Sequence, residues 1–163
     1  MTKTTTSRRV LLAGAGAALI TAPLANWTVP ARAQGLAPTP TMRGGANNYR
    51  PGAPIVERIG GGGFTTFGTV RRAGDGMPLA GQRVQIWAHT TEGHERDPWS
   101  HGATLTDENG VFSMDMPQIV PAFGQAHGHL AFEGEGFETV FLRPIMANSS
   151  DTSLSVDFVV VPV

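Results

Sequence analysis

The chain has 163 residues, with 12 Lys+Arg against 13 Asp+Glu, a formal net charge of −1, and no cysteine. Disulfides and thiolate ligands are therefore excluded, and any metal must be held by His, Asp, Glu, backbone or water. No basic surplus exists to attract nucleic acid or an anionic membrane.

Residues 1–33 read as an address rather than as fold. Arg8 and Arg9 stand together ahead of Val10-Leu11-Leu12. A weakly apolar Ala/Gly-rich run follows to Ala25, and Ala31-Arg32-Ala33 supplies a small-x-small cleavage pattern. The first acidic residue is Glu57. The pattern resembles a twin-arginine export signal, with the mature chain starting at Gln34. It implies a periplasmic or secreted bacterial protein and the twin-arginine machinery as a partner. The apolar run is too short, and too interrupted by Pro23, for a comfortable membrane span, so no membrane anchor is expected in the mature form. Cleavage removes Lys3, Arg8, Arg9 and Arg32 and no acid, leaving eight arginines against 13 acids, a formal charge of −5.

Residues 34–63 are rich in Pro, Gly, Asn and Thr and end in Gly60-Gly61-Gly62-Gly63. That composition predicts a flexible arm, ordered only where it packs on the domain or on another subunit of an oligomer. The glycine run lacks the Lys-Ser/Thr of a phosphate loop.

From Phe64 to Val163 the pattern is one of short strands and turns. Phe64–Arg72 alternates weakly. Gly74-Asp75-Gly76-Met77-Pro78 is a turn cluster. Arg83–Ala88 alternates cleanly, with Val84, Ile86 and Ala88 on one face. A polar loop from His89 to Gly102 holds three of the five histidines. Thr104–Thr106 leads through the Asp107–Gly110 hairpin signal to Val111–Met116. His127–Glu133, Glu138–Arg143 and Ser153–Val161 complete about seven short strands. No segment carries a convincing helical period. Such spacing predicts an all-β chain, an antiparallel β-sandwich in one domain, 64–163.

The main chemical signal is His127-Gly128-His129. On a strand, side chains alternate, so the two imidazoles share a face about 7 Å apart at Cα and can converge on one metal. The competing reading is a pair of polar residues on a solvated face.

Several blocks in order resemble the core of the intradiol ring-cleavage dioxygenases. They are Gly68-Thr69-Val70, Gly76 to Trp87, Thr106-Asp107-Glu108-Asn109-Gly110-Val111-Phe112, Ala126-His127-Gly128-His129 and Gly136-Phe137-Glu138-Thr139. The first blocks are shared with transthyretin-like sandwich modules. Trp87 and the later histidine pair tilt the resemblance to the dioxygenases.

The resemblance implies a non-haem iron held by two tyrosinates and two histidines, with a nearby arginine for substrate. His127 and His129 match the histidines. The tyrosines do not carry over: the chain's one tyrosine, Tyr49, lies in the arm. The position of the first family tyrosine is Glu95, beside His94, and the loop 117–121 offers no ligand in place of the second. Gly124-Gln125 stands where the arginine is expected.

The expected first shell is thus His127, His129 and one of His94 or Glu95. Glu95 would complete the two-histidine, one-carboxylate set of non-haem Fe(II) oxygenases, and His94 a three-imidazole set suiting Cu, Zn or Fe. The clustering of histidines favours His94. His101 is a candidate fourth ligand or proton shuttle, His89 a structural or outer-shell residue, and Trp99 and Phe123 possible pocket walls. The function expected is an exported metal-dependent oxygenase-like enzyme acting on a small aromatic or oxygen-rich substrate. Iron is the expected metal and copper the second choice. A non-enzymatic copper/iron binder and a metal-free sandwich module are the rivals. A ferric-tyrosinate catechol dioxygenase is not expected.

Overall fold

The structure, a computed structural model, describes residues 35–163. The expected export signal, with Arg8 and Arg9, lies outside the described residues. Eight strands form where the alternation and the turn residues place them. They are β1 (Phe64–Arg72), β2 (Arg83–Ala88), β3 (His101–Leu105), β4 (Val111–Met116), β5 (Gly128–Glu133), β6 (Val140–Leu142), β7 (Ser153–Ser155) and β8 (Phe158–Val160). The one helical piece among the described residues is a 3-10 turn at Pro98–Ser100. No helix among them is long and apolar enough to cross a membrane.

The strands make two four-stranded sheets packed as a sandwich. One has the order β4-β1-β7, with β8 also on β1, and the other has the order β3-β2-β5-β6. Most pairing is antiparallel, but β7 and β8 pair with β1 in parallel. The run expected as one C-terminal strand breaks at Val156-Asp157. There the Asp157 carboxylate accepts from the backbone N and the hydroxyl of Thr69, both at 2.8 Å. Gly68 permits the break: a Cβ there would lie 1.6 Å from the Val156 carbonyl oxygen.

Val84, Ile86 and Ala88 of β2 and Leu130 and Phe132 of β5 point between the sheets, against Phe64, Phe112, Met114, Met116 and Phe158. Each large side chain so buried contributes about 1.5–3 kcal/mol. The other face of the second sheet is also closed to water. Gln85, Trp87, Ala103, His129 and Ala131 are all fully buried on it. The cover is residues 35–63, which pack on the domain. Val56 N donates to Ala103 O at 3.0 Å, and Ala103 N to Pro54 O at 2.8 Å. The Trp87 indole N–H donates to Asn47 O at 2.9 Å, and Met42 N to Phe141 O at 2.8 Å. Gly102, opposite Ile86, faces the core instead, and a Cβ there would meet Val56 Cγ2 at 2.7 Å, so the end of the arm also closes the edge between the sheets. The sequence therefore folds β2 as a strand buried on both faces, and that places the site under the arm.

Candidate metal centre

Pairing of β2 with β5 sets Trp87 opposite His129, and Ala88 opposite Gly128. His127 lies just ahead of β5, where it bridges to Ile145. Parity turns both imidazoles to the arm-covered face, while Gly128 faces the core, with room only for the Leu154 and Ile119 side chains. Glu95 comes from the loop between β2 and β3. Local bonds fix that loop: Thr90 N to Gly93 O at 2.8 Å, Asp97 N to His94 O at 2.8 Å, and His94 N to Asp97 Oδ2 at 2.7 Å.

Glu95, His127 and His129 come together, all buried, with one ligating atom of each within 4.8 Å of the others. Glu95 Oε2 lies 3.3 Å from His129 Nε2 and 3.6 Å from His127 Nε2. Everything else about these side chains is tied down. His127 Nδ1 donates to Gln125 O at 2.7 Å, and His129 Nδ1 donates to Gly45 O at 3.1 Å. Arg143 Nη2 also lies 3.5 Å from His127 Nδ1, but the shorter carbonyl contact decides the tautomer. With the proton on Nδ1, each Nε2 presents a lone pair. Glu95 Oε1 accepts from Asn48 Nδ2 at 2.8 Å, which leaves Oε2 directed at the two imidazoles.

Glu95 Oε2 and His129 Nε2 are fully buried and have no hydrogen-bond partner. Orphaned polar atoms in a core cost about 1–3 kcal/mol each. Two of them directed at one point, beside a third donor, are what a cation would satisfy. Burial holds the His129 imidazole below its ordinary pKa, which favours the neutral form that can ligate.

The other sequence-predicted residues are placed elsewhere. His94 does not join the group. Its Nδ1 accepts from Arg96 N at 3.3 Å, and its ring packs edge-on against His89 (4.9 Å) and Phe123 (5.9 Å). His94 and Glu95 open a turn closed by Asp97 N on His94 O, and it is the Glu95 side chain that this turn directs at the pair. His101 supports the site from behind. Its Nε2 donates to the Glu95 carbonyl at 2.9 Å, its Nδ1 faces Gln85 Nε2 at 3.4 Å, and burial lowers its pKa. Trp99 stands 66% exposed, away from the cavity. Tyr49 is turned away from the triad. Its phenol donates to Glu133 Oε1, four residues and about 13 Å along β5 from His129. Burial and Glu133 push its pKa up to about 12.

A cavity of about 350 Å³ opens over the triad, lined by Asn47, Asn48, Arg96, Phe123 and Arg143 besides the three ligand residues. Sequence reasoning missed Asn48, the Gly45 carbonyl and the two arginines. The readable hint was Gln85-x-Trp87 on the nominally outer face of β2, which calls for a cover.

No protein-family model matches the chain, and no curated protein resembles it significantly in sequence. Solved structures do resemble it. Hydroxyquinol 1,2-dioxygenase from Pseudomonas putida DLL-E4 is 15% identical with TM-score 0.59, over 80% of this chain and 68% of that one. The dioxygenase domain of a dioxygenase–carbohydrate-binding fusion from Streptomyces sp. SirexAA-E is 18% identical with TM-score 0.57, over 76% and 97%. 3-Chlorocatechol 1,2-dioxygenase from Rhodococcus opacus 1CP is 18% identical with TM-score 0.54, over 71% and 69%. The chain thus has, in divergent form, the fold of the intradiol ring-cleavage dioxygenases.

Proposed function

We propose that this chain is an exported, metal-dependent oxygenase-like enzyme whose metal is held by His127, His129 and Glu95. The observation that carries the proposal is the buried, unpartnered Glu95 Oε2 set against two Nε2 lone pairs, with every opposite edge bonded to protein. Two imidazoles and one carboxylate are the donor set of non-haem Fe(II) oxygenases, so iron is the favoured metal and copper the second. When bound, iron supplies oxygen activation and Lewis acidity.

The protein's own groups do the rest. Gly45 O and Gln125 O hold the imidazole tautomers, Asn48 and His101 aim Glu95, and the arm excludes water from one side. Arg96 and Arg143 bring positive charge to the cavity, where a deprotonated hydroxyl of an oxygen-rich aromatic would be stabilised. The cavity is near the lower end of the range for small-molecule sites, about 300–1,000 Å³, which suits a single ring. The paired arginines at the N-terminus support export by the twin-arginine route.

The site is chemically distinct from a ferric-tyrosinate one. The single phenol is bonded to Glu133, and no second phenol exists in the chain. The test is oxygen uptake by the iron-loaded protein with catechol, hydroxyquinol and protocatechuate, read beside its visible spectrum. The proposal expects uptake abolished in Glu95→Ala and no phenolate-to-iron band. Tight iron binding without uptake on any of them would favour the second reading, a non-catalytic binder using the same residues.

A further inference from the structure

We propose that Trp87 and Tyr49 form a one-electron relay from the metal site to the far end of β5, with Glu133 receiving the tyrosine's proton. The relay rests on the metal reading above but uses residues that reading leaves without a task. Trp87 is fully buried and stacked between two imidazoles. The ring of His129 is 5.3 Å away at 11°, and that of His101 is 5.5 Å away at 9°. One face of the indole thus lies against a residue of the metal triad. Its N–H is fixed to Asn47 O.

Tyr49, a half-buried residue of the arm itself, comes next, with its centroid 5.9 Å from that of Trp87. Its phenol already donates to the Glu133 carboxylate, which Arg83 holds at 2.7 Å from the far side. Phenol oxidation at neutral pH releases a proton, and a bonded carboxylate is the group that takes it. Tryptophan and tyrosine are among the side chains most easily oxidised by one electron, and no cysteine competes.

The step balances with hydrogen peroxide as oxidant. Peroxide takes two electrons and becomes two waters. Iron(II), held by His127, His129 and Glu95, would supply one of those electrons and be left as iron(III). Tyr49 gives the other through Trp87 and becomes a neutral phenoxyl radical. Its proton passes to Glu133, and two protons from solvent complete the waters. The consequence is that an oxidising equivalent formed without substrate leaves the cavity before it damages His127 or His129.

Because Tyr49 is the chain's single tyrosine, ring-deuterated tyrosine labels one site. The full iron-loaded chain is mixed with one equivalent of peroxide, freeze-quenched and read by electron paramagnetic resonance. A tyrosyl signal narrowed by the label is expected. It should be lost in Tyr49→Phe, with a tryptophanyl signal in its place, and reduced about tenfold in Glu133→Gln. An unlabelled or absent radical, or the same signal in Tyr49→Phe, overturns the relay.

A second arm needs no metal. The iron-free chain is oxidised by a photoexcited ruthenium complex with persulfate. In the chain from Gln34 carrying Trp99→Phe, where Trp87 is the one tryptophan left, a tryptophanyl signal passing to a label-sensitive tyrosyl signal supports the aromatic leg, and a tryptophanyl signal that persists overturns it. Failure of iron to bind would thus strike the metal reading without being mistaken for failure of the Trp87–Tyr49 step.

Discussion

Asn48→Ala removes one side-chain bond from the site and leaves all three ligand residues in place; it also sets alanine at a φ of 60°, a strain that comparing chains of equal thermal stability separates from the lost bond. Asn48 Nδ2 donates to Glu95 Oε1 at 2.8 Å, and this contact decides which carboxylate oxygen faces the imidazoles. Without it, Oε1 is unpartnered and the carboxylate is free to rotate, so Oε2 must be ordered when the metal arrives. Loss of such outer-shell partners lowers metal affinity about 10–100-fold, equivalent to about 1.4–2.7 kcal/mol. A hydrogen bond to a charged group is worth about 1.5–3 kcal/mol, which agrees. The assay is competition with a chelating indicator under anaerobic conditions, on chains of equal thermal stability. Asn47→Ala is the control: Asn47 serves Trp87 through its backbone carbonyl, which alanine retains. Asn48→Ala should weaken binding at least tenfold and Asn47→Ala by less than threefold. Wild-type affinity in Asn48→Ala would refute the claim that the arm aims Glu95.

Other outcomes follow from the same geometry. His94→Ala should leave metal affinity within about twofold of wild type in that titration, because the ring packs on His89 and Phe123 instead of the triad. A chain beginning at Gly63 should lose cooperative unfolding or several kcal/mol in urea titration, since it re-exposes Trp87 and its neighbours at about 1.5–3 kcal/mol per large side chain. The pH dependence has a definite sign. His129 and His101 have lowered pKa values in the fold, so the unfolded chain binds protons first as pH falls through its ordinary histidine value of about 6.5. Stability of the metal-free protein should be full above that pH and fall below it until the folded values are passed; constant stability from pH 7 to 5 would contradict the assignment. Arg8 and Arg9 replaced together by Lys should leave precursor in the cytoplasm, measured by cell fractionation.

The β2 alternation was legible because three apolar residues at period two need a core, and Val84, Ile86 and Ala88 found it. Strand parity likewise carried His127 and His129 to one face. The choice between His94 and Glu95 was not legible. It depends on the phase at which the loop leaves β2, and that is set by Asp97 capping His94 N and by His101 holding Glu95 O, contacts with no periodic signal. The arm was harder still. Residues 35–63 bind through backbone groups of Gly45, Asn47 and Pro54, which any side-chain pattern conceals. The break between β7 and β8 was not legible either: it lies where Asp157 bonds to Thr69 and the Val156 carbonyl crowds Gly68, contacts that leave the apolar pattern of the run unmarked.

The most direct test of the account is the metal content and first coordination shell of the mature protein recovered from its native host, read by elemental analysis and X-ray absorption at the metal edge. One ion per chain is predicted, with two imidazole nitrogens and a carboxylate oxygen, no phenolate, and loss of the ion in the Glu95→Ala, His127→Ala and His129→Ala variants. A metal-free chain, or an ion retained with unchanged coordination when Glu95 and both histidines are replaced together, would contradict it.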